Sequence, residues 1–162
     1  MQLLLMRHGK AENGQLGQRD HARALATRGY LNAADQAKEF RPESGDGMIV
    51  SDALRTRQTA DTLISAWSDL GEPDLPQRRD TSQGYLAPAS RWLDLIAMET
   101  TPKRLWIIGH NPGISALVTE LTGDYIGMTT ADIVTIDLAI DQWSSIRPGC
   151  GSIVRHRTGR GA

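Results

Sequence analysis

Leu3-Leu4-Leu5-Met6-Arg7-His8-Gly9 is the stretch whose reading decides the fold. Its four apolar residues are too few for a signal peptide or a membrane span, and they suit a strand buried on both faces. A guanidinium, an imidazole and a glycine follow without transition. That is a poor continuation for a buried strand and a good lining for a pocket at its carboxyl end, where open α/β sheets bind their ligands. A neutral imidazole there can serve as nucleophile, base or metal ligand. The fixed cation beside it argues for an anionic substrate over a metal.

The rest of the chain sets the frame for that pocket. Its 162 residues suffice for one domain with its own core, expected over residues 1–154, followed by a flexible basic tail over 155–162. Lysine and arginine number 18 against 19 acidic residues, a net charge of −1, so neither nucleic acid nor an anionic membrane is expected as a partner. The single cysteine, Cys150, has no partner for a disulfide or a zinc knuckle, and a reducing cytoplasm is the expected compartment. No apolar run approaches the length of a membrane span, and no leader is read ahead of the first strand. A soluble monomer is the expectation.

Beyond a polar loop over Lys10 to Arg23, Thr27 is placed to cap a helix in which Leu31, Ala34, Ala37 and Phe40 recur at helical spacing. Met48-Ile49-Val50 reads as a second strand, closed by Ser51-Asp52, either of which can cap a helix starting near Ala53; Ser51 reads as such a cap and not as a catalytic hydroxyl. That helix carries Thr59, Leu63, Ile64 and Trp67 on one face, with Arg55 in its first turn. A cation there opposes the helix dipole and is expected to meet an anion, whereas Arg57, two positions on, points to the surface. A short strand is expected near Leu75 to Arg79, and a helix over Trp92 to Met98 capped by Ser90 or Thr81. Leu105-Trp106-Ile107-Ile108 is a clear strand ending in Gly109-His110-Asn111-Pro112, with Asn111 as cap and Pro112 as first helical residue. Ile133 to Ile140 reads as a strand, with Trp143 to Ile146 as its hairpin partner at the sheet edge. Strands alternating with helices give a three-layer α/β/α sandwich, its central sheet mostly parallel with an antiparallel edge. The four tryptophans read as core or edge packing, and His21 and His156 as structural or surface residues.

Three times an apolar strand ends and a His or Arg stands at or just after its carboxyl end. Arg7-His8-Gly9, then Ser51 to Ala60 around Arg55, then Gly109-His110-Asn111-Pro112, in that order, resemble the histidine phosphatase superfamily, whose members include phosphoglycerate mutases and SixA-type phosphohistidine phosphatases. Asp20, Arg23, Leu25 and Gly29 resemble the SixA-type segment before the first helix, with Ala24 and Ala26 where that pattern usually has proline and threonine. The resemblance implies a phosphoglycerate mutase-like fold and a metal-independent phosphatase without cofactor. His8 would be the nucleophile, forming a phosphohistidine that water hydrolyses. Arg7 and Arg55 would hold the phosphoryl oxygens with Gly9 and Asn111 beside them, and His110 would donate to the same group in the transition state. Flanking cations would lower the His8 pKa and keep one ring nitrogen unprotonated. A metal bridging the two histidines is disfavoured by Arg7 and by the lack of a metal-ligand spacing.

The general acid is missing from the pattern. One branch of the superfamily places Asp directly after the second histidine, where this chain has Asn111; another supplies Glu from a loop matching Thr81 to Ser90, which here holds no acidic residue. Asp80, Glu12 and Asp20 remain as candidates. An alkoxide leaving group needs protonation far more than an imidazole, so the gap favours a phosphoramidate, and the short chain leaves little sequence for a lid. The expected substrate is a phosphohistidine on a protein. The alternatives are a small phosphorylated metabolite hydrolysed as a phosphomonoester and, from another class, a non-catalytic phosphoprotein-binding module.

Overall fold

A computed structural model describes residues 1–159. Strand β1 (Gln2–Arg7) lies inside a six-stranded sheet, parallel to β4 (Arg104–Gly109) on one side and antiparallel to β5 (Ile133–Leu138) on the other. Beyond β4 lie β2 (Gly47–Ser51) and the edge strand β3 (Gln77–Thr81), all parallel; beyond β5 lies β6 (Gly151–Arg157), antiparallel to it. The spatial order is β3-β2-β4-β1-β5-β6. Helices α1 (Thr27–Glu39) and α2 (Leu54–Asp69) cover one face, and α3 (Ala89–Ala97) and α4 (Gly113–Thr122) the other. The three-layer sandwich expected from the alternation of elements is the fold observed.

The two-residue period of β1 distributes its side chains between two cores. Leu3 and Leu5 pack with Trp92, Ile114 and Leu117, whereas Leu4 and Met6 pack with Ala33, Leu63 and Trp67. A strand buried on both faces needs a continuous apolar run, and that run is what the sequence carries.

Several local expectations are corrected. Helix α1 begins at Thr27 itself, which is therefore no cap, and its buried stripe is Gly29, Ala33, Gln36 and Ala37, while Leu31 is 65% exposed. Its first member is a glycine because the helix start lies hard against the loop after β1: a Cβ on Gly29 would stand 2.3 Å from the Lys10 carbonyl oxygen. Helix α2 starts from Ala53 without a side-chain cap, and α3 from Pro88, so Ser51, Asp52 and Ser90 cap no helix, and Thr81 caps not α3 but the 3-10 turn over Ser82–Gly84, accepting from the Gln83 N–H at 3.2 Å. Helix α4 starts one residue later than read, so that Pro112 and not Asn111 is its cap residue; Asn111, just before it, accepts through Oδ1 from the Ser115 N–H at 3.3 Å.

The carboxyl-terminal region departs furthest. Trp143 is no strand residue: it sits in a 3-10 turn, fully buried, its indole N–H donating to the Pro102 carbonyl at 2.6 Å. The partner of β5 is β6, so the expected tail at Arg155–Arg157 is an edge strand instead. Its arginines read as a solvated tail, yet each finds a seat: Arg155 stacks 4.1 Å over the Phe40 ring and Arg157 binds Asp35 and Gln36 of α1. The rest of the expected tail reaches Gly159, whose N–H donates to Asp132 at 2.7 Å, and 160–162 lie outside the described residues.

At the opposite end of the sheet, Asp46, 2% exposed, clamps the starts of β2 and β4. It accepts from Arg104 through both oxygens and from the Trp106 indole at 2.9 Å. No helix among the described residues is long and apolar enough to cross a membrane.

Candidate active site

The carboxyl ends of β1, β2 and β4 lie side by side, and the residues that leave them converge. His8 is 9% exposed and follows β1. Its Nδ1 stands 2.7 Å from the Gly9 carbonyl oxygen, which can only accept, so Nδ1 carries the proton and Nε2 keeps its lone pair. That nitrogen accepts from Arg55 Nε at 3.3 Å. The His8 pKa is pushed down to about 4, first by burial and then by Arg55, Arg7 and Arg23, against an opposing effect of the Gly9 carbonyl. The direction expected from flanking cations holds, with desolvation leading.

Arg55, 3% exposed in the first turn of α2, meets an anion as its position demands. The anion is Asp20: Nη2 donates to its carboxylate at 2.9 Å and Nη1 to its backbone carbonyl at 2.7 Å. Arg57 is on the exposed side of the helix, as read.

His110 leaves β4 with its ring centroid 5.1 Å from that of His8 and is 2% exposed. Its Nε2 lies 2.7 Å from Ser51 Oγ, and its Nδ1 is buried with no partner. Burial, followed by His8 and Arg55, pushes its pKa down to about 3. Arg7 donates from Nη1 to the Met128 carbonyl at 2.9 Å, and its buried Nε is likewise unpartnered. Among the described residues these are the two buried side-chain polar atoms without a hydrogen bond, and both belong to this cluster. Ala131 holds the turn from behind: at φ 65° its N–H donates to the carbonyls of Arg7 and His8 at 3.0 and 3.1 Å.

Gly9 and Asn111 are in the cluster but already committed. The Gly9 N–H donates to Thr59 Oγ1 at 3.1 Å, and a Cβ there would lie 2.7 Å from the Gly29 carbonyl oxygen, which accounts for the glycine by packing. Asn111 donates to the Met128 carbonyl at 2.8 Å and accepts from Ser115.

Three participants escaped the sequence reading. Ser51 spends its hydroxyl on His110. Tyr85, from the loop after β3, donates to Asp20 at 2.7 Å with its ring 5.5 Å from the His110 ring. His21 bonds Asp52 at 2.8 Å and lies edge-to-face on Tyr85 at 4.9 Å. No periodicity marks them, since tertiary folding alone brings them together; adjacency to Asp20 was the one available hint for His21.

Of the acid candidates, Asp80 points back to Arg78 on its own strand at 2.6 Å and Glu12 is exposed. Asp20 is in the cluster, but Tyr85 first, then Arg23 and Arg55, hold its carboxyl well below the usual range, so it is an anion. What converges is an imidazole whose Nε2 carries no proton, two guanidinium groups and a second imidazole, a set able to hold a phosphoryl group and attack it. Among the described residues no group of three His, Cys, Asp or Glu could hold a metal ion.

Residues 3–79 match the model of the histidine phosphatase superfamily (branch 1). Similarity to solved structures runs nearly the whole length. A candidate phosphohistidine phosphatase SixA from Agrobacterium tumefaciens superposes with a TM-score of 0.79 at 22% identity, over 97% of each chain. A protein histidine phosphatase SixA complexed with tungstate gives 0.73 at 23% identity, over 98% of this chain and 97% of that one. A mycobacterial glucosyl-3-phosphoglycerate phosphatase gives 0.63 at 16% identity, over 94% and 96%. At these identities the likeness establishes the fold. No curated protein sequence matches the chain.

Proposed function

We propose that this phosphatase, whose residues 3–79 match the histidine phosphatase superfamily, removes the phosphoryl group from phosphohistidine on a protein through a covalent intermediate on His8. The observation that carries the reading is the His8 tautomer: the Gly9 carbonyl takes the Nδ1 proton and leaves Nε2 with its lone pair among cations. In the first step Nε2 attacks phosphorus as the bond to the leaving atom breaks. In the second, water attacks phosphorus, the P–N bond breaks with its electron pair returning to Nε2, and inorganic phosphate leaves as the water gives up a proton to solvent. Arg7 and Arg55 neutralise the phosphoryl oxygens. His110 donates from Nδ1, the atom with no partner among the described residues, when the Ser51 hydroxyl donates to Nε2. Gly9 and Asn111 act by shaping the turn, since their polar groups are committed elsewhere.

The substrate class is supported by the state of the acids. Asp20 is ionised, and no other candidate carboxyl is directed into the cluster. An alkoxide would have to leave unprotonated, whereas an imidazole is the easier leaving group. The fold likeness to a SixA described as a protein histidine phosphatase agrees with this. The likeness to a glucosyl-3-phosphoglycerate phosphatase favours the second reading, a small phosphomonoester.

The test is kcat/KM for a phosphohistidine peptide, an aryl phosphate and an alkyl phosphate, with a chelator present throughout. The proposal expects preference for the peptide over the alkyl ester and indifference to the chelator. It also expects His8→Ala to abolish turnover while vanadate still binds. Comparable rates on the alkyl ester transfer the assignment to small phosphomonoesters, and turnover by His8→Ala removes His8 from its role.

A further inference from the structure

A phosphorylated imidazole leaves well only in one protonation state. If the ring nitrogen distal to phosphorus carries no proton, the group departs as an imidazolate; if it is protonated, the departing species is neutral imidazole. The distal nitrogen lies across the ring, farther from phosphorus than any atom an ester would need protonated. A donor suited to it stands at the rim of the site and not at its floor.

The groups around the cluster can be sorted by whether they have a proton to give. Asp20 is an anion, bonded to Tyr85, Arg23 and Arg55. The Tyr85 phenol keeps its proton and spends it in a hydrogen bond to that carboxylate, and burial together with Asp20 pushes its pKa up. His110, buried and pushed down to about 3, holds a single ring proton at neutral pH. His21 is different. Its side chain is 42% exposed, its Nε2 is fixed by Asp52 Oδ1 at 2.8 Å, and its Nδ1 has no hydrogen-bond partner among the described residues. It lies against one side of Tyr85, whose ring is 4.9 Å from it and 5.5 Å from His110. His21 is thus one aromatic ring outward from the floor of the site.

We propose that His21, oriented by Asp52, donates a proton from Nδ1 to the distal ring nitrogen of the phosphohistidine substrate. The inference rests on the phosphohistidine reading above. In the step, the His21 Nδ1–H bond breaks and the distal N–H forms. The P–N bond to the substrate breaks with its electron pair kept by the leaving ring, and the P–N bond to His8 forms. Neutral imidazole leaves carrying the proton, and His21 regains one from solvent, to which its side chain is open. Asp52 is a positioning residue: by accepting from Nε2–H it turns Nδ1 outward, so that the donating form is the imidazolium and the ring left after the transfer is neutral with its proton on Nε2.

The experiment compares wild type, His21→Gln and Asp52→Asn on a phosphohistidine peptide and on p-nitrophenyl phosphate, whose leaving group departs readily as an anion. The quantity read is the ratio of the two kcat/KM values. His21→Gln should lower that ratio by about tenfold or more, through kcat, with Asp52→Asn lowering it less. Free imidazole should restore peptide turnover to His21→Ala, which a merely structural role would not allow. A ratio unmoved by His21→Gln overturns the inference, whether both activities fall or neither does, and leaves the phosphohistidine reading standing. A wild type inert toward the peptide overturns both, and is seen before any variant is made.

Discussion

Acidification from about pH 7.5 to about pH 4.5 should remove about 5 kcal/mol of stability through His8 and His110 alone. Both rings are buried in the neutral state, with pKa values pushed down to about 4 and about 3 and burial the leading cause in each. In the unfolded chain an imidazole titrates at about 6.5. The unfolded state therefore binds more protons below that value, so the contribution is complete above it and is lost as pH falls toward each folded value. Across the two units between about pH 6.5 and 4.5, at about 1.4 kcal/mol per unit, each ring contributes about 2.5 kcal/mol. The sum is a large share of the roughly 5–15 kcal/mol typical of a folded domain. Asp20 and Asp35, whose values fall on folding, lose their contributions only below the ordinary carboxylate value of about 3.9, outside this window. Urea melts of wild type and His110→Gln at both pH values isolate one ring. The variant should lose about 2.5 kcal/mol less than wild type across the window, whatever its stability at neutral pH. Equal losses would refute the claim that His110 is buried neutral at a cost to its protonated form.

Asp46→Ala should destabilise the protein by about 3–5 kcal/mol, since it leaves Arg104 and the Trp106 indole without their shared acceptor; a loss under about 1 kcal/mol in a urea melt would contradict the clamp. Gly113→Ala puts a Cβ 1.8 Å from the Ala87 carbonyl oxygen at the start of α4, and should impair both thermal stability and turnover; a variant with the melting temperature and kcat of wild type would show that this contact yields freely. Ser51→Ala leaves a buried His110 nitrogen unsatisfied and its tautomer unassigned. It should cost about 1–3 kcal/mol and lower kcat more than KM, and an unchanged kcat would mean that the tautomer is immaterial.

How much of this was legible in the sequence depended on burial. Strands β1, β2 and β4 are covered on both faces and so spell continuous apolar runs, and the residues leaving them, His8, Arg55 and His110, stand out because they interrupt a run or oppose a helix dipole. The stripe of α1 was read in part: Ala37 and Phe40 are buried as expected, but Leu31 is exposed, and Gly29, Ala33 and Gln36 went unseen because a glycine, an alanine and a glutamine do not announce a stripe. Strand β6 was hidden because an edge strand can be built from charged residues, and Arg155 and Arg157 are seated by partners on α1 and beyond it, more than a hundred residues earlier in the chain. The floor of the site was thus readable and its rim was not. Ser51, His21 and Tyr85 acquire their roles from neighbours that no local pattern can name.

The placement of β1 has a consequence for how the molecule comes into being. Its flanking strands are β4, about a hundred residues later, and β5, later still, so β1 is synthesised long before either neighbour. Until β4 and β5 arrive, an apolar strand with two open edges travels with the growing chain, a species prone to pair with other chains. Contacts so distant in sequence also predict slow folding for a protein of this size. Synthesis therefore delivers β1 long before the strands that bury it, and chaperone dependence during synthesis is the property to look for in cells.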